Sequence, residues 1–210
     1  MIQKKDAKTT DHRILLHSCC APCAAPSSEH LIKNGDTVVL FFSNSNIYPH
    51  EEYLKRLEYV KKLADHFNIE VIEDTWDHAA WLEAVKGLED EPEKGTRCNA
   101  CFAFNLKRTK DKADELGLNR FTTTLTLSPH KISAAIFNLG RNLDGFVEEN
   151  FKKKDGFKRS LELSKELDLY RQNYCGCEFS LRNMTDKPCN QKKKPTVSVP
   201  CRSDIYNYIQ

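Results

Sequence analysis

The sequence predicts an α/β protein built on a parallel β-sheet flanked by helices. Short apolar runs such as residues 37–42 lack the alternation of a half-exposed strand, which is typical of strands buried on both faces. Amphipathic helical patterns separate these runs, as over residues 51–67, where apolar residues recur every three or four positions. Strands that alternate with helices indicate βαβ units and therefore a parallel sheet.

Four strands are predicted from apolar and β-branched runs. Residues 13–16 and 37–42 are apolar after their first position, and residues 69–73 combine isoleucine and valine with glutamate. Residues 120–127 are rich in threonine, which favours extended backbone. The sheet is therefore expected to contain at least these four strands in one α/β unit.

Helices are predicted between the strands and after the last one. Residues 27–34 end at Asn34-Gly35, a favourable stop because glycine accepts the left-handed conformation. Asp77 is positioned to cap a helix that carries Trp81, Val85 and Leu88. The remaining predicted helices are 51–67, one from about 98 to 116, one through 134–137, and one from about 158 to 167.

Length and composition indicate a single main domain. The chain has 210 residues, 40% of them hydrophobic and 30% charged, with a net charge of +2 that is too small to indicate nucleic-acid binding by itself. We expect an α/β domain over residues 13–182 with a helical, cysteine-bearing C-terminal segment. A polar extension would precede it over residues 1–12, and a basic tail would follow over residues 183–210. With neither a secretion signal nor an apolar membrane span in the sequence, we expect a cytoplasmic protein.

Four of the nine cysteines form a candidate metal-binding set. Cys19 and Cys20 directly follow the first strand and, being adjacent, cannot easily form a disulfide with each other. Cys98 and Cys101 would share one side of a helical first turn. Four thiolates suit structural zinc or a [4Fe-4S] cluster, and adjacent cysteines favour the separated irons of a cluster. Zinc remains the open alternative.

The other cysteines have less certain roles. A disulfide between Cys175 and Cys177 would close a small strained ring, which suits redox catalysis, although incidental thiols or extra metal ligands remain an alternative. Cys23 is a spare ligand, a neighbour of the ligands or a buried thiol. Cys189 and Cys201 lie in the expected tail and are interpreted as incidental.

Four motifs in the same order give the sequence a strong resemblance to the QueH-type epoxyqueuosine reductases. The similarity runs from about Arg13 to Arg182. Residues 43–45, Ser-Asn-Ser, vary from the aromatic-Asn-Pro-Asn segment that is more usual there. The motifs are LLHSCCAPC at residues 15–23, CxxC at 98–101, TTLTLSPHK at 123–131 and YRQxYCGC at 170–177.

The resemblance implies an oxidoreductase that completes queuosine synthesis on tRNA. The epoxide of epoxyqueuosine at the wobble position would be reduced to an alkene. Cys19, Cys20, Cys98 and Cys101 would hold a [4Fe-4S] cluster, and Cys175 with Cys177 would form a redox-active pair. The fold would be the Rossmann-like type of the adenine-nucleotide α-hydrolases, and the partners would be tRNA and an unidentified electron donor.

Other residues are candidates for helping the reaction. An additional iron with an open position, or His17 or His130 as an acid, would polarise the epoxide. Asn44, Asn46, Tyr48 and Arg56 would line the same crevice, with bracing of the following helix as the open alternative for Tyr48 and Arg56. Basic side chains would contact tRNA phosphates, and an aromatic ring would stack on the flipped base. The basic candidates are Lys152, Lys153, Lys154, Lys158 and Arg159, and the aromatic ones are Tyr48 and Tyr174.

Two other functions remain open from the residues. One is an ATP-dependent tRNA sulfur transferase on a related fold, which would need a phosphate-binding loop that the cysteines replace here. The other is a non-catalytic RNA-binding protein stabilised by zinc or a cluster. Nucleotide binding would distinguish the first, and stoichiometric zinc would distinguish the second.

Overall fold

A parallel four-stranded sheet forms the centre of the molecule. The computed structural model describes residues 12–185. The strands are β1 (Arg13–His17), β2 (Thr37–Phe42), β3 (Glu70–Glu73) and β4 (Phe121–Thr123). Their order across the sheet is β3-β2-β1-β4, and every pairing is parallel. The predicted α/β class is therefore confirmed.

Helices cover both faces of this sheet. Ile14 and Leu16 point toward a core that includes α1, α2 and α6, whereas Leu15 points toward a core with α4 and α5. Both faces of the central strands are buried, which explains their continuous apolar sequences. The helices are α1 (Ala21–Lys33), α2 (His50–Phe67), α3 (His78–Ala84), α4 (Thr96–Glu115), α5 (Ser133–Gly140), α6 (Gly156–Glu166) and α7 (Glu178–Thr185).

The first helix begins six residues earlier than the predicted start at residue 27. It starts at Ala21, directly after Cys20, with Pro22 in its first turn. Proline favours this position because its fixed φ suits the helix and its missing N–H would be unpaired there anyway. Cys23 therefore lies on a helix and not in a loop. The predicted stop is correct, since Gly35 has a φ of +88°.

The fourth strand is shorter than predicted. It ends at Thr123, and Thr124–Leu127 form a 3₁₀ helix. The Thr123 hydroxyl accepts a hydrogen bond from the Leu125 N–H, and the Thr126 hydroxyl donates to the Glu149 carbonyl. The first of these bonds is local and favours a turn over continued extended backbone, and the second ties the turn to a residue 23 positions later.

The remaining predictions hold with small shifts of boundary. Asp77 caps α3, where its side chain accepts a hydrogen bond from the Ala80 N–H, although Leu88 lies beyond the helix. Cys98 and Cys101 lie in the first turns of α4, as expected. Within residues 12–185, none of the helices combines the length and apolar character that crossing a bilayer requires. Cys189, Cys201 and nearly all of the predicted extension and tail lie outside the described residues.

Candidate metal centre

The carboxyl ends of three strands are tied together by one buried histidine. His17 at the end of β1 accepts a hydrogen bond at Nδ1 from the Thr123 hydroxyl, 2.8 Å away, and donates from Nε2 to the Ser43 carbonyl, 3.0 Å away. Burial lowers the pKa of His17, which keeps the ring neutral in this role. Both nitrogens are therefore occupied in positioning the strand ends, and His17 does not line the cavity described below.

Three thiols meet where β1 turns into α1. The sulfurs of Cys19, Cys20 and Cys23 all lie within 4.8 Å of one another. Hydrogen bonds from the Cys19 and Cys23 thiols lower the pKa of Cys20, so that a thiolate forms most readily there. Cys19 is also fixed by Thr124, whose hydroxyl accepts from the Cys19 N–H and donates to its sulfur at 3.3 Å. This group is suited to binding a metal.

The first turns of α4 supply two further thiols. The Cys98 sulfur accepts a hydrogen bond from the Lys94 N–H at 3.3 Å, and the Cys101 sulfur accepts one from the Asn105 side chain at 3.8 Å. Burial raises the pKa of both cysteines when no metal is bound. Placing two thiols on one helical turn fixes their spacing independently of the loop before it.

A tethered loop carries the last two thiols. The Arg56 guanidinium of α2 donates to the main-chain oxygens of Cys175 and Tyr174, at 3.1 and 3.4 Å. Gly176 has a φ of +127°, and its carbonyl accepts from the Tyr48 N–H at 2.8 Å. The loop is thus held to the sheet edge from both sides.

All seven cysteines in the described part of the chain line one cavity of about 770 Å³. The cavity lies beyond the carboxyl ends of the strands, where open α/β sheets bind their ligands. Asn46, His130 and Tyr174 also line it, as does Arg56, in agreement with the sequence prediction. The cysteines come from three separate segments: Cys19, Cys20 and Cys23, then Cys98 and Cys101, then Cys175 and Cys177.

A positively charged side chain lies beside the thiols of the cavity. Lys131 lines the cavity, and although burial alone would lower its pKa, the nearby cysteines, Cys175 foremost, raise it. Its ammonium therefore stays charged and compensates thiolate charge. The sequence motif contained Lys131, but a single lysine gives no pattern that would distinguish it from a surface residue.

Several residues predicted for the site have other roles. Asn44 donates to the Ser18 carbonyl at 2.8 Å and braces the cysteine turn without lining the main cavity. Tyr48 is 41% exposed, stacks on His78 and lies outside the cavity lining. Arg159 is bound by three carboxylates, those of Glu29, Glu162 and Glu166.

The predicted basic patch is correspondingly smaller. Lys152 donates to the Lys131 carbonyl at 2.6 Å, which leaves Lys153, Lys154 and Lys158 as its exposed members. Arg159, with its carboxylate partners, is poorly suited to a phosphate contact.

The fold is similar to that of a solved RNA-modifying enzyme. The structure of "U34-tRNA thiolase NcsA from Methanococcus maripaludis with its [4Fe-4S] cluster" superposes with a TM-score of 0.50 and 12% sequence identity. The match covers 83% of this chain and 64% of that one, so the chain spans less than two thirds of the thiolase's length. This likeness is one of fold, and it agrees with the predicted Rossmann-like parallel sheet flanked by helices.

Sequence comparisons are more specific. Residues 14–183 match the family model described as "Epoxyqueuosine reductase QueH". Proteins of that name share 38% identity with this chain in Streptococcus pyogenes serotype M1 and 39% in Acinetobacter baylyi. The first match covers 92% of this chain and 80% of the relative, and the second covers 81% of each. The relative in Thermotoga maritima is 38% identical over 86% of this chain and 96% of its own length. The chain therefore belongs to the epoxyqueuosine reductase QueH family.

Proposed function

We propose that this chain is an epoxyqueuosine reductase, which reduces the epoxide of epoxyqueuosine at the tRNA wobble position to the alkene of queuosine. The observation that carries the proposal is the convergence of thiols from three segments on one cavity. A structural zinc site needs four ligands and no open cavity, whereas this site has seven thiols and room for a ligand. We also propose that residues 13–182 form one catalytic domain, which the family match over residues 14–183 supports.

The proposed cluster ligands are Cys19, Cys20, Cys98 and Cys101. The donor set fits a thiolate-bound cluster, because the sulfurs of Cys19, Cys98 and Cys101 each already accept a hydrogen bond from an O–H or N–H group. Such bonds stabilise the negative charge of thiolate ligands. When bound, the cluster supplies electrons one at a time. Cys23 stands within 4.8 Å of Cys19 and Cys20 and is the natural further ligand if an additional iron binds.

The Cys175 and Cys177 pair supplies the remaining redox chemistry. Reduction of an epoxide to an alkene and water consumes two electrons and two protons, and oxidation of two thiols to one disulfide releases the same number. Burial and the nearby Cys175 raise the pKa of Cys177 to about 11, so that this thiol carries its proton at neutral pH. The dithiol is therefore a stoichiometric source of both electrons and protons, and an external donor must re-reduce it.

The substrate base would enter the cavity from the tRNA anticodon. The cavity has the size of a typical small-molecule site, and Tyr174 and Phe157 offer aromatic faces for stacking. The exposed Lys153, Lys154 and Lys158 are available for phosphate contacts outside it. His130 is an exposed ring at the cavity lining and is the remaining histidine candidate for proton transfer, since His17 is engaged elsewhere.

ATP-dependent sulfur transfer receives no support from the site. Helix α1 begins with Ala21 and Pro22 immediately after the cysteines, without a glycine-rich loop to approach phosphates. The first turn of α1 contains no acidic residue, and Cys23 lies where a phosphate-binding segment would be needed. The reductase is thus the function that the geometry supports best.

The proposal is tested by purifying the protein anaerobically and measuring iron, sulfide and zinc together with its visible spectrum. We expect about four irons and four sulfides per chain. The Cys19→Ser/Cys98→Ser variant should lose them. The cluster-loaded protein, incubated with dithionite and tRNA bearing epoxyqueuosine, should yield queuosine in a nucleoside digest analysed by mass spectrometry. Stoichiometric zinc in place of iron, or an unchanged epoxide with intact cluster, would reject the reductase.

A further inference from the structure

Trp81 is a fully buried indole beside the thiols. It lies on α3, is 0% exposed, and packs with Phe179 and Cys101 in a small apolar cluster. The His78 ring stacks on it at a centroid distance of 5.4 Å and an angle of 20°, and the Phe179 ring lies 5.9 Å away. His78 is itself fixed because its Nδ1 donates to the Ser45 carbonyl at 2.7 Å. Rings on two sides therefore hold the indole in one orientation.

The indole N–H of Trp81 has no acceptor of its own among the residues that the structure describes. Its Nε1 is fully buried and makes no hydrogen bond there. An unpaired buried donor is costly to the fold, so such groups are uncommon in folded proteins. The other tryptophan behaves normally, since Trp76 donates from Nε1 to the Ile47 carbonyl at 3.0 Å. Trp81 is the exception that needs an explanation.

The acceptor that fits is the sulfur of Cys101. Trp81 and Cys101 line the same cavity and pack in the same cluster. Burial and the neighbouring Cys175 raise the pKa of the Cys101 thiol, and the nearby indole of Trp81 opposes that rise without meeting the geometry of a full hydrogen bond. A neutral thiol is a weak acceptor, whereas a thiolate is a strong one. The N–H is thus placed for the charged form of Cys101.

We propose that Trp81 is a positioning residue whose Nε1–H donates to the Cys101 thiolate when that thiolate binds the cluster, and that this bond raises the reduction potential of the cluster. The inference rests on the ligand set of the proposed function. Reduction adds negative charge that spreads onto the ligand sulfurs, so a donor to sulfur stabilises the reduced state more than the oxidised one. Asn105, which donates to the same sulfur at 3.8 Å, acts in the same direction.

The matched variants are Trp81→Phe and Trp76→Phe, because each removes one indole N–H. Potentiometric titration of the reconstituted proteins should show the Trp81→Phe cluster harder to reduce, with the redox equilibrium shifted by up to about tenfold, or 59 mV for one electron. Trp76→Phe should leave the potential unchanged. If the smaller ring merely admitted water, the potential would rise, since water stabilises the more highly charged reduced cluster. The sign of the shift therefore separates the two effects.

A second measurement needs no substitution at Trp81. In the reduced wild-type protein with ¹⁵N-labelled indoles, electron–nuclear double resonance should detect coupling of the cluster to one indole nitrogen and its exchangeable proton, and the coupling should persist in Trp76→Phe. The inference would be wrong if the wild-type cluster showed no such coupling, or if Trp81→Phe had the same reduction potential as the wild type. Either result would leave the proposed function standing. A wild-type protein that assembles no cluster would overturn the proposed function as well.

Discussion

The Nη1 of Arg56 donates to the main-chain oxygen of Cys175 at 3.1 Å, between residues 119 positions apart in the sequence. The guanidinium is almost completely buried and is paired with Glu52, its Nε lying 2.7 Å from the carboxylate. A cation on α2 therefore fixes the loop that carries the proposed redox pair. Several predictions about the site depend on this tether or on the thiols it positions.

Replacing Arg56 with methionine should destabilise the fold strongly. The change removes the cation beside the largely buried Glu52 carboxylate, which retains the Tyr170 hydroxyl as a donor, and leaves two loop carbonyls without theirs, a loss expected to cost about 3–5 kcal/mol. Lys61→Met, which removes an exposed ion pair with Glu73, should cost less than about 1 kcal/mol. Denaturant unfolding under anaerobic conditions measures both free energies. Equal losses in the two variants would show that Arg56 has no special structural role.

Gly176→Ala should disturb the loop. At a φ of +127° the new side chain is strained, and its Cβ would lie 3.0 Å from Nη1 of Arg56 and 3.2 Å from Cγ1 of Ile47. We expect a loss of about 1–3 kcal/mol in unfolding free energy and a lower turnover. Gly87→Ala is the control, because Gly87 also has positive φ, +78°, but no atom within 4 Å of the added Cβ. Turnover in Gly87→Ala should equal that of the wild type.

The proposed redox pair should be needed for turnover and not for the metal. Because neither Cys175 nor Cys177 belongs to the proposed ligand set, Cys175→Ala/Cys177→Ala should abolish queuosine formation and leave the cluster absorbance intact. Single-turnover assays with the pre-reduced protein, quantified by mass spectrometry, measure the activity. Turnover at the wild-type rate would exclude a catalytic role for the pair, and loss of the absorbance would make these thiols metal ligands.

Alkylation of Cys177 should depend on pH as expected for a thiol that resists ionisation. Burial and Cys175 raise the pKa of Cys177 to about 11, and only the thiolate reacts. The rate of Cys177 alkylation should therefore keep rising up to about pH 11. In urea-unfolded protein the rate should level off above the ordinary value of about 8.5. At pH 8 the folded protein should react more than about tenfold more slowly. Peptide mass spectrometry after iodoacetamide treatment resolves this cysteine from the others, and identical pH profiles would contradict the raised pKa.

Binding of tRNA should depend on the exposed lysines after α5. The Lys153→Gln/Lys154→Gln/Lys158→Gln variant should reduce the slope of log affinity against log salt by up to about 2, since each phosphate contact contributes about 0.7 for single-stranded RNA. Lys107→Gln is the control, because Lys107 is already paired with Asp111. Affinity measured across a salt series gives the slopes. Equal slopes in the wild type and the triple variant would place the tRNA elsewhere.

Much of the fold could be predicted because the strands are buried on both faces and the helices are amphipathic. Residues 120–127 were harder to predict, since threonine favours strands, yet the Thr123 hydroxyl bonds to the Leu125 N–H and ends β4 early. The start of α1 was missed because the cysteines indicated a loop that carries ligands, whereas Pro22 in the first turn favours a helix there. In both places local hydrogen bonding or backbone preference outweighed a sequence pattern.

The cysteines of the site could be singled out because three of them fall within five residues and two more have the C-x-x-C spacing that is typical of metal or redox sites. Their common cavity could not be derived, since it depends on loops that meet only in the folded chain. Three residues have roles that depend on distant or missing partners. Arg56 and Lys131 interact with residues far away in sequence, and Trp81 has an unpaired indole N–H. A lone tryptophan or lysine has no spacing that indicates such a role.

Because the Cys19 backbone and sulfur both bond to the Thr124 hydroxyl, 105 residues later, the order of synthesis bears on how the site is assembled. At about 5–20 residues per second, Thr124 leaves the ribosome about 5–20 seconds after Cys19. Throughout that interval the first thiols lack this hydrogen-bond donor, and for most of it they also lack the α4 cysteines, since Cys98 follows Cys19 by 79 residues. We therefore expect any metal to be loaded after the domain has folded, and the nascent chain to keep its thiols reduced until β4 is in place.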